Sequence, residues 1–406
     1  MDTIRQTLNP ETLRRGKLTI RAGVPRKAPA PAAYRPKKIP PDLRIPRVAY
    51  RSEKNLLRRL TLRLRHDSQF VRSAVQLAFV LLCVWIGVEF HAFVRWGTSG
   101  GAATYVERPP GVEGFLPISA LISLKYWLQA GILNDIHPSG VFILLAIVGA
   151  SLAVKKAFCS WICPVGTLSE ALWTLGRKVF GRSFDPPRWV DWPLRSLKYL
   201  LLFFFVDAIL GMDVEALRAF ILSPYNRVAD VKMYQFFADI TPFAFWTITV
   251  LMLLSVVVRN FWCRYLCPYG ALLGAVSWLS PLKITRTAAT CVDCGLCTKA
   301  CPSRIAVHTA TRVGSDECTA CMLCVQACPV KETLQMRTSK GNRAVPATAL
   351  ALLVVGVFVA VTGGAMLAGR WHNGISKEEY LRRMQQLDAP VYRHFRGEVP
   401  RYGPND

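Results

Sequence analysis

The chain has 406 residues, 52% of them apolar, and a formal net charge of +25. So much apolar content beside so much Lys and Arg is not the composition of one soluble globule; it is the pattern of apolar spans flanked by basic loops. No base-stacking or groove-reading motif accompanies the charge, which sets a nucleic-acid partner aside.

Residues 1–65 hold 18 Lys and Arg against 4 Asp and Glu, with a Pro-rich run after Gly23. Such a segment buries too little apolar area to offset its ordering entropy, so a disordered basic arm is expected, or one that docks on anionic lipid or a partner. It contains no apolar core of a secretory signal, and the N-terminus is expected to be retained.

Five apolar segments follow, at 70–94, 139–156, 194–211, 241–259 and 345–369. Each approaches or reaches the roughly 20 residues that cross a bilayer as a helix. A sixth stretch, 116–131, contains Lys125 and Gln129 and reads as a surface or re-entrant helix. Lys155, Lys156, Arg259 and Arg264 sit at span ends and set the orientation. The arm and residues 285–337 are expected on the cytoplasmic side, and the tail 370–406 outside.

The second and fourth segments run into the same motif. "FCSWICPVGTL" and "WCRYLCPYGAL" both read C-x-x-x-C-P-x-G-x-L, placing Cys159 and Cys163 against Cys263 and Cys267. Positions i and i+4 share a helix face, so each pair can aim two thiols at one point. If the repeats meet, four soft ligands could hold an additional iron–sulfur centre. A reversible disulfide, transient copper binding, docking of a partner's metal centre and plain buried cysteines are the other readings. Cys83 stands alone and reads as a small buried side chain.

The densest signal is "CVDCGLCTKACP" followed by "CTACMLCVQACP". This is C-x₂-C-x₂-C-x₃-C-P twice, the two-cluster pattern in which the fourth cysteine of each run serves the other cluster. The expected sets are Cys291, Cys294, Cys297 and Cys328 for one 4Fe–4S cluster, and Cys318, Cys321, Cys324 and Cys301 for the second. Structural zinc favours two separated pairs without the trailing Cys-Pro. His91 and His137 are candidates for haem or quinone, although lone histidines at helix ends more often serve as hydrogen-bonding groups. Glu107 or Glu113 in the outer loop could accept a proton, but that loop reads foremost as a rigid turn.

Two membrane-linked CxxxCP motifs, a two-cluster ferredoxin module and a last span together resemble the membrane polyferredoxin family. That family includes NapH-type subunits, the C-terminal part of NosR-type regulators and CcoG-type proteins. The match spans roughly residues 70–370. No long flavin-binding domain precedes the first span as in the NosR type, and the tail is too short for the β-sandwich of the CcoG type. The resemblance implies a mostly α polytopic bundle of about five spans with an inserted cytoplasmic α+β two-cluster ferredoxin domain, in a bacterial inner membrane. It implies single-electron transfer between a quinol pool or cytoplasmic donor and a membrane or periplasmic partner, such as a cytochrome or oxidoreductase. The chain reads as an electron-transfer subunit rather than a self-contained enzyme; a copper reductase or cofactor-assembly protein and a redox sensor or anchor are the alternatives.

Overall fold

The computed structural model describes residues 55–392. Helix α1 (Leu56–His66) opens on Asn55, whose side chain accepts the N–H groups of Leu57 and Arg58. The arm expected to be disordered to residue 65 is thus helical over its last turns. Leu56, Leu60 and Leu64 recur at helical spacing there, beyond the proline-rich run. The rest of the arm lies outside the described residues. Asp67 ends α1 and caps α2 (Ser68–Thr98), accepting the N–H groups of Gln69 and Phe70 at 3.1 Å each.

A loop then leads to α3 (Pro117–Ala130), the sixth stretch anticipated. Helices α4 (Pro138–Ala153), α5 (Ala157–Trp161) and α6 (Pro164–Phe180) form the first CxxxCP unit. Next come α7 (Arg188–Leu210), α8 (Val214–Leu222), α9 (Pro224–Arg227) and α10 (Ala229–Ala238). The second unit is α11 (Pro242–Val257), a π-helical turn at Trp262–Leu266 and α12 (Pro268–Val276). The cysteine-rich module comprises β1 (Leu282–Arg286), α13 (Leu296–Ala300), α14 (Leu323–Ala327) and β2 (Leu334–Thr338). Its strands pair antiparallel from Leu282↔Thr338 to Arg286↔Leu334. Leu282, Ile284, Leu334 and Met336 alternate inward from this ribbon. The chain closes with α15 (Ala347–Leu367) and α16 (Lys377–Met384).

All five apolar segments are helical, but their lengths differ. Among the described residues, α2 and α15 are long and apolar enough to cross a membrane. Helices α10 and α11 make a third crossing if their 81° bend counts as one broken span. Helix α4 stops at Ala153 instead of residue 156. Its 16 residues rise only about 24 Å, short of a hydrocarbon core of roughly 30 Å. Large apolar side chains on α2, α7 and α11, among them Trp85, Phe203, Phe204, Trp246 and Leu253, are exposed, as lipid-facing surfaces require.

The described residues form two apolar cores. One joins α4, α5 and α15 to the cysteine-rich module through Val154, Trp161, Leu273, Met336 and Leu350. The other joins the end of α2 to α8, α10 and α16 through Phe93, Leu217, Val231 and Tyr380. The two CxxxCP units meet where α6 crosses α11. A Cβ added at Gly176 would lie 1.9 Å from the Val256 carbonyl oxygen, so only glycine permits this approach. Gly176→Ala is expected to force the helices apart and cost about 1–3 kcal/mol, visible as a lower thermal midpoint in detergent; an unchanged midpoint would show that the crossing relaxes freely.

Candidate iron–sulfur site

Each cysteine run begins with a turn that only unusual backbone angles can make. In the first, Asp293 and Gly295 have φ of 52° and 66°. In the second, the matching residues Ala320 and Met322 have φ of 52° and 61°. Left-handed residues alternating with ordinary ones point successive N–H groups into one concavity, the geometry that receives sulfur anions. Gly295 and Met322 then stand as N-caps of the five-residue helices α13 and α14. The two runs are thus conformational copies.

The cavities these turns enclose divide the eight cysteines into crossed sets. One is lined by Cys291, Cys294, Cys297 and Cys328 with Arg286, Gly295 and His308. The other is lined by Cys301, Cys318, Cys321 and Cys324 with Ile284, Ala320 and Met322. Cys301 and Cys328, the last cysteine of each run, have changed places. Among the described residues, no three His, Cys, Asp or Glu side chains gather closely enough to hold a single metal ion. Cys301, Cys318 and Cys324 are buried, while the whole first set is half-exposed. The second cavity therefore faces the protein interior and the first faces outward.

The CxxxCP cysteines converge at the other side of that interior. Cys159 lies on α5, Cys263 on the π-helical turn, and Cys163 and Cys267 are the N-caps of α6 and α12. The Cys267 Sγ accepts the Gly270 N–H at 3.3 Å, and Cys163 receives the N–H groups of Gly166 and Val165. Helix N-termini thus stabilise negative sulfur in both repeats. Burial pushes the thiols up, Cys159 to about 12 and Cys163 to about 11, and the neighbouring sulfurs add to the rise. Cys263 and Cys267 shift in the same direction, again chiefly through burial. Gly166 explains the fourth motif position: a Cβ there would lie 2.0 Å from the Cys159 carbonyl oxygen.

The first motif is docked directly on the second cysteine turn. The Lys156 N–H donates to Cys318 O at 3.3 Å, Ser160 Oγ to Thr319 O at 2.6 Å, and Trp161 Nε1 to Ala320 O at 3.1 Å. Helix α2 braces both sides, with Gln69 Nε2 donating to Cys321 O at 2.9 Å and Arg72 Nη1 to Ser160 O at 3.2 Å. Glu317 pairs with Lys198 and, at 3.6 Å, with Lys156. Burial disfavours its charge, but the two lysines prevail and hold the carboxyl at about 2. Lys155 and Lys156, which the sequence presents as orienting charges at a span end, are 0% and 3% exposed. Arg264 is buried likewise, bound to Asp191 at 2.8 Å, and Tyr265 donates to the same carboxylate at 2.6 Å.

The remaining candidates lie apart from the cysteines. The loop before α3 buries a network in which Arg108 pairs with Asp230 at 2.5 Å and Glu113 at 2.9 Å. Glu113 accepts Ser139 Oγ at 2.5 Å and the Gly140 N–H at 2.8 Å, capping α4 from another segment. His137 is enclosed there, 2.6 Å from Asn226 O. Glu113 and His137 thus serve this network. His91 is exposed and lies 2.6 Å from the Tyr234 hydroxyl. Glu107 is also exposed, 3.4 Å from His372. Cys83, expected to be buried, is half-exposed on α2.

Comparison with known proteins agrees with this geometry. A family profile described as a 4Fe–4S binding domain matches residues 136–183 and 239–287, one CxxxCP unit each, and a 4Fe–4S dicluster domain matches 283–329. YccM of Escherichia coli, named for electron transport, is 47% identical over 328 residues, covering 80% of this chain and 91% of its own. The regulatory protein NosR of Pseudomonas aeruginosa is 29% identical over 184 residues, 44% of this chain and 24% of NosR. The ferredoxin-type protein NapH of Haemophilus influenzae is 25% identical over 183 residues, 43% of this chain and 59% of NapH. No solved structure matches.

Removing the Glu317 charge would leave Lys156 and Lys198 buried beside one another. Glu317→Gln is expected to destabilise the protein by about 3–5 kcal/mol, measured by thermal or denaturant unfolding in detergent; a loss below about 1 kcal/mol would mean that water reaches these groups.

Proposed function

The chain belongs to the polyferredoxin-type 4Fe–4S membrane proteins, and from that premise we propose that it is a multi-pass inner-membrane subunit conducting single electrons between the cytoplasmic face and a membrane or periplasmic redox partner. In this reading Cys291, Cys294, Cys297 and Cys328 hold one 4Fe–4S cluster, and Cys301, Cys318, Cys321 and Cys324 hold a second. Cys159, Cys163, Cys263 and Cys267 hold a further centre at the membrane end. When bound, such clusters supply one-electron transfer without bond making.

The protein's part is to hold and order these sites. The observation that carries the reading is the docking of Lys156, Ser160 and Trp161 on the carbonyls of Cys318, Thr319 and Ala320. It supports a path from the inner cavity to the first CxxxCP motif. Trp161, fully buried, excludes water between them, and the positive Lys156 and Lys198 offset the negative charge that thiolate ligands bring. The half-exposed outer cavity is the place where electrons are exchanged with a second protein. Residues 285–337 form the cytoplasmic module and residues 370–406 lie outside. A quinol pool or a cytoplasmic carrier stands at one end of the path, and a cytochrome or periplasmic oxidoreductase at the other.

Protein purified without oxygen is expected to contain about twelve irons per chain, and a Cys163→Ser/Cys267→Ser variant about eight, with spin-coupled EPR signals persisting on reduction. An iron content of four or fewer in the native chain would overturn the two-cluster assignment. Equal iron in native and variant protein would remove the third centre alone. Trp161→Phe removes the bond to Ala320 while keeping an aromatic ring there, and is expected to shift the EPR signal of the inner cluster and leave the outer one unchanged.

A further inference from the structure

Helix α1 carries an exposed apolar face. Leu56 and Leu57 are each 76% exposed, Leu60 43% and Leu64 39%. At about 100° per residue these four positions share an arc of roughly 100°, and Arg58, Arg59, Arg63 and Arg65 all stand at positions outside it. The other side of the helix is turned to the protein: Leu62 is half-buried, and the Arg63 guanidinium lies 5.5 Å from the centre of the Phe70 ring. The helix contains no Asp or Glu. Residues 1–65 hold only 4 acids against 18 Lys and Arg, so that segment cannot neutralise itself. Asp67, which follows, is engaged as the cap of α2 and by Gln326 Nε2 at 3.0 Å. Helix α1 packs on α2 and α15, the two helices that, among the described residues, are long and apolar enough to cross a membrane.

We propose that α1 is an interfacial helix that lies on an anionic phospholipid surface, with Leu56, Leu57, Leu60 and Leu64 at the edge of the acyl chains and its basic positions at the lipid phosphates. The proposal rests only on the chain being a membrane protein and is independent of what the cysteines hold. Leucines leave water for the headgroup boundary, and each Lys or Arg near anionic headgroups adds about 1 kcal/mol. The contact with α2 and α15 favours lipid over the groove of a soluble protein, because the bilayer surrounds those two helices already. The joint after α1 is bonded to the cysteine-rich module. Gln326, between Cys324 and Cys328, accepts Ser68 Oγ at 2.8 Å, and Gln69 Nε2 donates to Cys321 O at 2.9 Å. Seating α1 on lipid therefore also steadies the module beside the membrane.

The test follows amide hydrogen exchange by mass spectrometry in the full-length protein, held in nanodiscs of phosphatidylcholine alone or with about one third phosphatidylglycerol. Exchange across residues 56–66 is expected to be about tenfold slower with phosphatidylglycerol, and to quicken again when salt is raised from about 50 to about 500 mM. Leu57→Asp/Leu60→Asp and Arg59→Gln/Arg65→Gln are each expected to remove most of that slowing, while exchange in α2 and α15 and the iron content stay native. Equal exchange in both lipids and at both salts would overturn the role of anionic lipid. Slow exchange that persists in Leu57→Asp/Leu60→Asp would overturn the proposal too, by showing that protein contacts shield the helix. Fast exchange in both lipids would leave the face open to a soluble partner instead. Loss of iron from the native chain would sink the electron-transfer reading and leave this result unaffected.

Discussion

The structure depends on a join made mainly of main-chain carbonyls. Thr319 and Ala320 offer their oxygens to Ser160 and Trp161, while the Lys156 N–H reaches Cys318 O. Each bond alone is worth on the order of 1 kcal/mol. They matter more together, because they lie beside Lys198, Lys156 and Glu317, whose charges are tolerable inside the protein only while paired. Any slip of the module would break the hydrogen bonds and draw these charges apart. A buried ionic contact here acts as a registration device, and what it registers is the distance between two groups of sulfur atoms.

The repeated units are copies in sequence but not in their surroundings. Both place a cysteine at a helix N-terminus and a glycine under the preceding cysteine's carbonyl, too tight for a Cβ at Gly166 but leaving one in ordinary contact, 3.4 Å from the Cys263 oxygen, at Gly270. The first is held by the cysteine-rich module and by α2, through Arg72 and Gln76 on the Ser160 carbonyl. The second is held by α7, where Asp191 takes Arg264 and Tyr265. Near-symmetric ligands in asymmetric frames give four sulfurs unequal environments. That is useful wherever charge must move in one direction.

Much of this is legible in the residues. Cysteine spacing is local and covalent, so the partition into crossed sets can be read from Cys291 to Cys328, and the apolar segments all prove helical. What the sequence hides here shares one cause. Lys155, Lys156 and Arg264 are legible as charges at span ends but not as buried ones, because a charge in sequence carries no record of its partner. The partners lie far along the chain: Glu317 for Lys156 and Asp191 for Arg264. The helical end of the arm escapes a sequence reading because a window dominated by prolines hides three leucines at the right spacing. Helix α4 falls short of its expected length because Lys155, at φ 43°, turns inward to reach the Gly314 carbonyl.

The exchange of Cys301 and Cys328 between cavities sets an order of events during synthesis. The first cavity takes three of its walls from residues 291–297 and its last from Cys328 and Pro329. The second takes Cys301 from the earlier run. The second enclosure has all its cysteines once residue 324 is made, whereas the first must wait for Cys328, long after both CxxxCP units have been synthesised. Nascent chains therefore carry open thiols for much of their production, and the second enclosure gains its last wall before the first does.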